Sequence, residues 1–587
     1  MDNLGKEASV PDLVGGLILQ NDLEFHLGEE DEIFEGYGST FNSYPYRQYN
    51  GYSNELECAE LEVAVLENDF LRAVFLPQLG GRLWSLWDKE RERNLLYTND
   101  VIRFRNLAVR NAWFSGGVEW NIGVIGHSPL TTEPLFTAVL EYGKGVPVLR
   151  MYEYERIRQV TYQMDFWLGE EDRFLNARMR IVNFGEEVTP MYWWSNIAVP
   201  EHDGGRIFVP AEKAYTYRNG GVYKVDIPVV EGIDITRYQN IPSSVDYFFD
   251  IPKTSPKYIA NVDSSGYGLL QMSTERLQSR KLFSWGKKSG GSHWQEFLTE
   301  KAGRYVEIQA GLGKTQYGCL PMAPHTAWEW LERYGAVCLD QSQELEPTVP
   351  LTREFTGWVG KLAPYREMKQ VLEESKGMAR QRAAIRNRGR GYGALKDVER
   401  KQEGHKGISN HLDFETVTPE LKIWENFLRT GILEEPDILC SPPPFVTGDV
   451  FFKRLKESAQ GDNRDNWFAH YQLGLLYFQQ EDFERAQAAL ERSLHLRQNP
   501  WSYHGIACVF MKLGCREKAK EALLCGLKMQ SQDVSYVKEA ARLLELNGSF
   551  PEIVALYRKL DRELQEEGRI RLCYIRALAE TGQFQMA

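Results

Sequence analysis

The segment 304–310, RYVEIQA, places two polar side chains where they can do chemistry together. Its tyrosine, valine and isoleucine favour a β-strand. Because side chains alternate along a strand, Glu307 and Gln309 point to the same face. A carboxylate accepts hydrogen bonds or acts as a base, and an amide both donates and accepts, so the two together suit the recognition of hydroxyl groups. The alternative is an ordinary polar strand face in contact with water.

A glycine-rich segment, 116–127 (GGVEWNIGVIGH), supplies two further candidates, Glu119 and His127. Backbones of glycine-rich loops can approach a ligand closely, and a histidine with an ordinary pKa near ~6.5 can donate a proton at neutral pH. Arg82 follows two glycines in 77–82 (PQLGGR) and can hold a hydroxyl or an acidic sugar group. The alternatives are a structural ion pair between Arg82 and Glu119 and a turn role for His127.

A short polar segment, 293–296 (HWQE), adds His293 and Glu296, which follow two glycines. We predict that a short hairpin brings this segment next to the Glu307 strand. His293 and Glu296 would then bind substrate hydroxyls beside it.

Tryptophans are concentrated in the first part of the chain, with 12 of the 15 before residue 360. Aromatic rings build β-sheet cores, and they also stack on the C–H faces of sugars. We predict that Trp120 and Trp194, which stand inside the glycine-rich and polar motifs, line a sugar cleft. Core packing is the alternative for each.

The Glu-x-Gln step resembles the catalytic-glutamate strand of aldose 1-epimerases (galactose mutarotases). Residues 60–335 resemble the galactose-mutarotase-like fold as a whole, and more closely an uncharacterised domain family of that fold that is commonly joined to tetratricopeptide repeats. The motifs that carry this resemblance are 77–82 (PQLGGR), 116–127 (GGVEWNIGVIGH), 191–200 (MYWWSNIAVP) and 293–296 (HWQE).

The resemblance implies that Glu307 takes the proton from the anomeric hydroxyl and that Gln309 binds a neighbouring hydroxyl. In that family an acid histidine follows an asparagine on another strand, but here Ile197 follows Asn196. One half of the family's acid–base pair is therefore absent, and His127 or Glu119 would have to supply the acid. For this reason the sequence favours glycoside hydrolysis over simple epimerisation.

A glycosidase needs two carboxyl groups, about 5–5.5 Å apart for retention or about 6.5–9.5 Å apart for inversion. Glu307 can pair with Glu119, Glu296 or Glu332, and the sequence does not decide among them. The histidines are scattered and lack the spacing of metal ligands, so the sequence predicts no metal site. It also lacks a phosphate-binding glycine motif, so nothing in it indicates a nucleotide cofactor. We therefore expect no metal and no cofactor.

Composition excludes some classes of partner. The chain has 587 residues and a net charge of −13, which argues against nucleic acid or an anionic membrane as the main partner. Ten lysines and arginines in 376–406 are interpreted as a solvated linker. Eight cysteines without a paired framework, and an N-terminus without a secretory signal or apolar span, predict a cytoplasmic protein.

The elements that must position these residues follow in chain order. Residues 1–60 are predicted to be an extended segment that packs on the sandwich. Residues 61–362 alternate apolar and polar side chains in many short runs, which predicts a large antiparallel β-sandwich of the mutarotase-like type. Residues 363–446 read as a helical linker.

From residue 447 to 587 the chain is helical and repetitive. Gly514, Gly548 and Gly582 are spaced 34 residues apart, which is the tetratricopeptide period. Ala587 falls at the small position of a helix in a fourth repeat, so we expect that further repeats follow in a longer protein.

Two hypotheses follow. The first is a carbohydrate-active protein that binds a sugar or oligosaccharide and works at an anomeric carbon, by hydrolysis or epimerisation, with Glu307 as base. The second is a non-catalytic glycan-binding scaffold. In both, the repeats can recruit a protein partner or mediate self-association.

Overall fold

The fold is described from a computed structural model, which describes residues 1–15, 23–51, 53–339, 349–362 and 365–586. The strands of these ranges are, in chain order, β1 Glu24–His26, β2 Ala64–Glu67, β3 Leu71–Leu76, β4 Arg82–Asp88, β5 Arg93–Asn94, β6 Val118–Ile122, β7 Phe136–Tyr142, β8 Val146–Glu155, β9 Val160–Trp167, β10 Phe174–Asn183, β11 Thr189–Met191, β12 Trp193–Pro200, β13 Arg206–Phe208, β14 Lys213–Arg218, β15 Gly221–Asp226, β16 Val229–Val230, β17 Ile233–Asp234, β18 Ser243–Phe249, β19 Lys257–Val262, β20 Tyr267–Ser273, β21 Ser279–Gly286, β22 Tyr305–Gly311, β23 Leu320–Met322, β24 Thr326–Cys338 and β25 Ala384–Asn387. The α-helices are α1 Ser289–Leu298, α2 Val349–Leu362, α3 Tyr365–Glu374, α4 Tyr392–Gln402, α5 Lys422–Thr430, α6 Asp449–Ser458, α7 Trp467–Gln479, α8 Phe483–Leu496, α9 Pro500–Lys512, α10 Arg516–Met529, α11 Val534–Leu546, α12 Phe550–Tyr557, α13 Arg562–Glu566 and α14 Gly568–Glu580.

Two large sheets form the sandwich. The larger has 12 strands in the order β1-β15-β14-β18-β21-β22-β12-β6-β4-β3-β2, with β5 beside β4. The smaller has nine strands in the order β13-β19-β20-β24-β10-β9-β8-β7-β25. Strand pairing is antiparallel except between β1 and β15. The predicted antiparallel sandwich is confirmed.

The main core of the sandwich lies between the two sheets. Ile197 and Ile308 of the larger sheet and Met164 and Met179 of the smaller sheet are fully buried in one apolar cluster. Because side chains alternate along a strand, the neighbours of these residues point to the outer face of each sheet. The outer face of the larger sheet therefore carries Glu307.

Three segments expected to be strands from their alternation are confirmed. The runs that begin near residues 148, 161 and 174 become β8, β9 and β10, which pair with each other in sequence order. β2 and β3 form an antiparallel hairpin at one edge of the larger sheet.

The predicted hairpin before Glu307 is wrong. Residues 289–298 form helix α1, and His293 and Glu296 are exposed on it. The buried face of this helix, Gln295 and Leu298, packs toward the sheet. Gln295 accepts a hydrogen bond from the backbone of Tyr305 at 2.8 Å, so α1 covers the beginning of β22.

The connector between the sandwich and the repeats is not a free linker. It contributes β25 to the edge of the smaller sheet, beside β7. Within the basic run, Arg390 forms an ion pair with the buried Glu133, and Arg388 forms one with Glu415. These contacts remove part of the run from the solvated surface that the charge pattern predicted.

The C-terminal helices pair as α7–α8, α9–α10 and α11–α12, which is the arrangement of a tetratricopeptide solenoid. Gly514 and Gly548 stand at the turn inside two successive pairs with φ of 72° and 76°, and Gly582 follows α14 with φ of 77°. A left-handed backbone at a fixed phase explains why glycine recurs every 34 residues. Ala587, assigned to a fourth repeat, lies outside the described residues.

The N-terminal segment contacts both the sandwich and the solenoid. On the sandwich side, Asp2 and Glu7 form ion pairs with Arg105 and Arg110 at 2.7 and 2.6 Å. On the solenoid side, the segment follows the first helix of each pair, a surface we call the first-helix face. The contacts there are Phe41 with Phe478 of α7, Phe41 with Lys512 of α9, and Ser9, Asp12, Gly15 and Asn50 with α11.

Candidate functional site

Polar side chains from four strands form one row on the outer face of the larger sheet. In the register, Asn196 of β12 stands opposite both Glu119 of β6 and Gln309 of β22. Lys281 of β21 stands opposite Gln309. Glu307 lies two residues further along β22 on the same face, opposite Ala198. The sheet register therefore brings together residues that are far apart in the sequence.

Glu119 is held by a ring of donors. Its Oε2 lies 2.8 Å from His127 Nδ1 and accepts from Trp113 Nε1 at 3.3 Å, and its Oε1 accepts from Thr131 Oγ1 at 2.6 Å. Arg82 Nη2 lies 3.6 Å from Oε1. Burial alone would raise the pKa of Glu119, but the charges of His127 and Arg82 outweigh it and lower the pKa to about 2. Glu119 is therefore ionised at neutral pH and has no proton to donate.

Arg82 is buried, with 2% of its surface exposed. Its guanidinium donates to the backbone oxygens of Phe114 and Gly116 at 2.7 and 3.0 Å and to Thr131 Oγ1 at 2.8 Å. The guanidinium also lies over the Phe114 ring, 3.8 Å from its centroid. Arg82 therefore helps to hold Glu119 in place, both directly and through Thr131.

His127 is fixed by Glu119 through Nδ1, which leaves Nε2 as the other ring nitrogen. Burial lowers the pKa of His127, but the carboxylates of Glu119 and Glu307 outweigh it, so the net effect is to raise the pKa. About 28% of the side chain remains exposed. The imidazole is therefore held in one orientation, retains a proton more readily than a free histidine and is reachable from solvent.

Glu307 is 7% exposed, and its Oε2 accepts from Gln309 Nε2 at 3.0 Å. Burial raises the pKa of Glu307 above its ordinary value, and the like charge of Glu119 acts in the same direction. The charges of His127 and Lys281 oppose this rise without cancelling it. A carboxyl group with a raised pKa is a stronger base when ionised than an ordinary glutamate.

Amide groups line the space beside Glu307. Gln309 Oε1 accepts from Gln316 Nε2 at 2.8 Å, and Gln316 Oε1 accepts from Lys281 Nζ at 2.6 Å, so Gln309 is held in place. Asn196 Oδ1 is buried and has no hydrogen-bond partner among the described residues. A buried acceptor without a partner costs free energy unless a ligand donor satisfies it.

Aromatic rings surround the row. The Trp113 ring lies 5.6 Å from the His127 ring, and Tyr305 stacks on Tyr97 at 4.6 Å next to Trp285 at 6.1 Å. Trp194 lies on the same face of β12 as Asn196, but it is fully buried and packs against Phe248. These rings form an aromatic wall beside the row, with Trp194 as supporting packing.

Two predicted binding residues lie on the other side of the larger sheet, inside the sandwich. Trp120 alternates with Glu119, donates from Nε1 to Gly81 O at 2.9 Å and packs in the core. Glu332 of β24 is fully buried between the sheets. It accepts hydrogen bonds from Ser195, Gln271, Trp330 and Tyr334. Neither residue meets Glu307, and neither do the exposed His293 and Glu296 of α1.

Several residues of the site were not predicted from the sequence. Lys281 forms an ion pair with Asp246 at 2.7 Å and, with Gln316, fixes Gln309. Thr131 connects Arg82 to Glu119. The period-two alternation of β21 placed Lys281 on a polar face, but only the pairing with β22 shows which face that is.

The row thus holds a carboxyl group and an imidazole that both have raised pKa values, and such a pair is chemically able to transfer protons. The described ranges contain no group of three or more His, Cys, Asp or Glu side chains that could hold a metal ion. Among the helices of the described ranges, none is both long enough and apolar enough to cross a bilayer.

The sandwich and the repeats together define a class of protein, a large antiparallel β-sandwich followed by a tetratricopeptide solenoid. Residues 39–326 match the family model of a domain of unknown function, DUF5107, and residues 469–500 match a tetratricopeptide repeat model.

Among solved structures, the chain is similar to a TPR-domain containing protein from Parabacteroides distasonis, with 19% identity and a TM-score of 0.67 over 100% of this chain and 88% of that one. This similarity shows the fold and confirms the predicted fusion. The N-terminal half is also similar to a galactose mutarotase-like protein from Clostridium acetobutylicum, with 10% identity and a TM-score of 0.37 over 49% of this chain and 98% of that one. A galactose mutarotase related enzyme from Lactobacillus acidophilus has 8% identity and a TM-score of 0.33 over 49% of this chain and 100% of that one.

Proposed function

We propose that this chain is an epimerase-like enzyme that interconverts the anomers of an aldose or of the reducing end of a short oligosaccharide. The observation that carries the proposal is the pair formed by Glu307 and His127. Both have raised pKa values, and each contributes to the electrostatic surroundings of the other. The pair supplies one base and one acid to the same face of the sheet.

In the proposed reaction, ionised Glu307 takes the proton of the anomeric hydroxyl, and protonated His127 gives a proton to the ring oxygen. The bond between the anomeric carbon and the ring oxygen breaks, and an open-chain aldehyde forms. After rotation about the bond between C1 and C2, the ring closes on the opposite face of the carbonyl, and the two protons return. Each proton is donated once and recovered once, so the enzyme ends in its starting state.

Hydrolysis by two carboxyl groups is less well supported by the geometry. Glu119 is the acidic side chain of the row whose charge acts on Glu307, and both of its carboxylate oxygens are already engaged by His127, Trp113 and Thr131. Glu296 is exposed on α1, and Glu332 lies inside the sandwich. The histidine that the sequence appeared to lack at Ile197 is thus supplied by His127 from the glycine-rich segment.

Asn196 and Gln309 would orient the sugar hydroxyls, because one offers a buried acceptor that has no partner among the described residues and the other is a fixed amide. Trp113 would lie against an apolar face of the ring. The protein partner or self-association that the repeats suggest belongs to surfaces other than the first-helix face, which the N-terminal segment contacts.

The first prediction tests the base. Glu307→Gln removes the proton acceptor but keeps the shape and hydrogen bonding of the side chain, so anomer interconversion should fall by about 10²–10⁴-fold while sugar binding is retained. The measurement is magnetisation-transfer NMR on a panel of aldoses, together with calorimetric binding. Release of chromophore from aryl glycosides, measured in parallel, reports hydrolysis.

The matched control is Glu212→Gln, which makes the same substitution at an exposed position and should leave the rate unchanged. Sugar binding without any acceleration by the unmodified protein would favour the scaffold hypothesis. Chromophore release that depends on Glu307 would favour hydrolysis and reject epimerisation.

A further inference from the structure

A pocket of about 410 Å³ lies between the outer face of the smaller sheet and the connector, on the opposite side of the sandwich from Glu307. Thr161 and Gln163 of β9, Arg180 of β10 and residues 405–412 of the connector contribute to its lining. The pocket therefore exists only because the connector folds back onto the sheet.

The charges that line this pocket are mainly positive. Arg180, Arg400 and Lys406 are permanent cations at neutral pH, and Glu186 is the one carboxylate among the lining residues. That carboxylate is already engaged, since its Oε2 lies 2.8 Å from His325 Nε2 and its Oε1 lies 3.9 Å from His405 Nδ1. The pocket thus holds cationic groups that its own acid does not neutralise.

The cationic side chains retain hydrogen-bond donors that a ligand can use. Arg180 Nε is buried and has no hydrogen-bond partner within the described ranges, although the same guanidinium pairs with Glu329 at its far end. Arg400 donates from Nε to Lys406 O at 2.9 Å and lies over the Phe184 ring. In the part of the chain that the structure describes, neither Arg400 nor Lys406 forms an ion pair with a carboxylate.

The pKa of His411, which lines the pocket, is lowered by burial and by nearby positive charges. Its Nε2 lies 2.8 Å from Gln163 Oε1, which fixes the ring. Burial lowers the pKa of His411, and the charges of Arg150, Arg180 and Arg380 lower it further, to about 4. At neutral pH the ring is therefore uncharged, and with Nε2 bonded to the Gln163 oxygen it donates from that nitrogen.

We propose that this pocket binds a small phosphate-bearing molecule, with Arg180, Arg400 and Lys406 as the groups that recognise the phosphate. Guanidinium groups match phosphate oxygens with paired donors, and a lysine adds a mobile point charge. Because Arg180 is already paired with Glu329, a bound phosphate would chiefly balance Arg400 and Lys406, and it would accept from the Arg180 Nε that has no partner within the described ranges. The volume leaves room for more than inorganic phosphate, and the occupant that we propose is therefore a phosphate ester.

The site also connects the sandwich to the repeats. Gln402 and Glu403 lie next to the pocket at the end of α4. Their side-chain oxygens accept hydrogen bonds from Arg454 of α6 at 3.1 and 2.7 Å. A ligand that bridges β10 and the connector would therefore stabilise the junction between the two parts of the chain, and ligand binding should raise the thermal midpoint.

The test is calorimetric titration of the full chain at constant ionic strength with glycerol 3-phosphate, inorganic phosphate and neutral glycerol. Both phosphates should bind saturably, glycerol 3-phosphate more tightly, and glycerol should not bind. Arg400→Gln should weaken both phosphates at least tenfold. Lys401→Gln is the matched control, because Lys401 is on the same helix, is paired with Asp397 and does not line the pocket.

Equal affinity for the two phosphates would overturn the choice of an ester in favour of free phosphate. Absence of saturable binding at millimolar concentrations, or equal weakening by the two substitutions, would overturn the site itself. The thermal midpoint of Arg400→Gln without ligand, compared with that of Lys401→Gln, separates loss of binding from loss of folding.

Discussion

At the scale of single residues, the acid with the most strongly lowered pKa in the candidate site is not the one that we propose as the base. The negative charge of Glu119 interacts with the charges of His127 and Arg82, and it raises the pKa of His127. Within the described ranges Glu307 lacks such a counter-charge at hydrogen-bond distance, so burial raises its pKa. Two carboxylates on one sheet face are thus assigned different roles by their surroundings.

The second prediction concerns pH dependence. The active form needs ionised Glu307 and protonated His127, so activity should rise as Glu307 loses its proton and fall as His127 loses its own. Glu119 raises both pKa values. Glu119→Gln should therefore move both limbs of the kcat/KM profile to lower pH.

Stopped-flow polarimetry across the pH range measures this profile. The control, Glu212→Gln, should leave both limbs in place. A profile of Glu119→Gln with unmoved limbs would contradict the assignment of His127 and Glu307.

At the scale of elements, the site depends on how β6, β12, β22 and β21 pair. Gly311 at the end of β22 stands opposite Trp194 of β12, and the Trp194 ring covers it. A Cβ atom at Gly311 would lie 2.1 Å from that ring. The close approach of backbone and indole is what keeps Trp194 packed behind Asn196.

The third prediction is that Gly311→Ala displaces Trp194 and destabilises the sandwich by about 1–3 kcal/mol, the usual cost of overpacking. Denaturant unfolding followed by tryptophan fluorescence measures it. Gly290→Ala in helix α1 is the control, since a Cβ there meets nothing within 4 Å. That substitution should be neutral or stabilising by up to about 1 kcal/mol. Equal stability of the two variants would refute the packing argument.

At the scale of the whole molecule, the repeats act as part of the fold. The N-terminal segment contacts the first-helix face, and Arg542 of α11 is central to that contact. Arg542 donates to Gly15 O at 3.2 Å, pairs with Glu539 at 2.8 Å and lies 3.7 Å from the buried Asp12. The sandwich, the N-terminal segment and the solenoid thereby share one buried interface.

The fourth prediction is that Arg542→Ala loosens the N-terminal segment, because it removes the donor to Gly15 O and leaves the buried Asp12 carboxylate without its cation. Breaking a buried pair in this way costs about 3–5 kcal/mol. Limited proteolysis with mass spectrometry should show faster cleavage within residues 1–51. Arg562→Ala, which removes a side chain that is 90% exposed, should leave the cleavage pattern unchanged. Identical cleavage patterns for both variants would show that the Arg542 contact does not hold the N-terminal segment in place.

Much of the fold was accessible from the sequence because it depends on local periodicity. Alternation fixed the direction of side chains along β8, β9 and β10, and the 34-residue step of Gly514, Gly548 and Gly582 gave the solenoid. The helix α1 was missed because two glycines and a short polar motif are also typical of a hairpin. The packing of Gln295 and Leu298 against the sheet decided between the two.

The sequence by itself determined that Glu307 and Gln309 share a face and that a sandwich precedes the repeats, since both follow from backbone geometry over short distances. Only the tertiary structure decided which residues join Glu307. The register between strands that are far apart in the chain places Glu119, Asn196 and Lys281 on the same face as Glu307. The side chains of Trp120 and Glu332 point instead into the core. The same long-range packing placed the N-terminal segment on the solenoid, because pairing and burial between distant segments leave no periodic trace in either one.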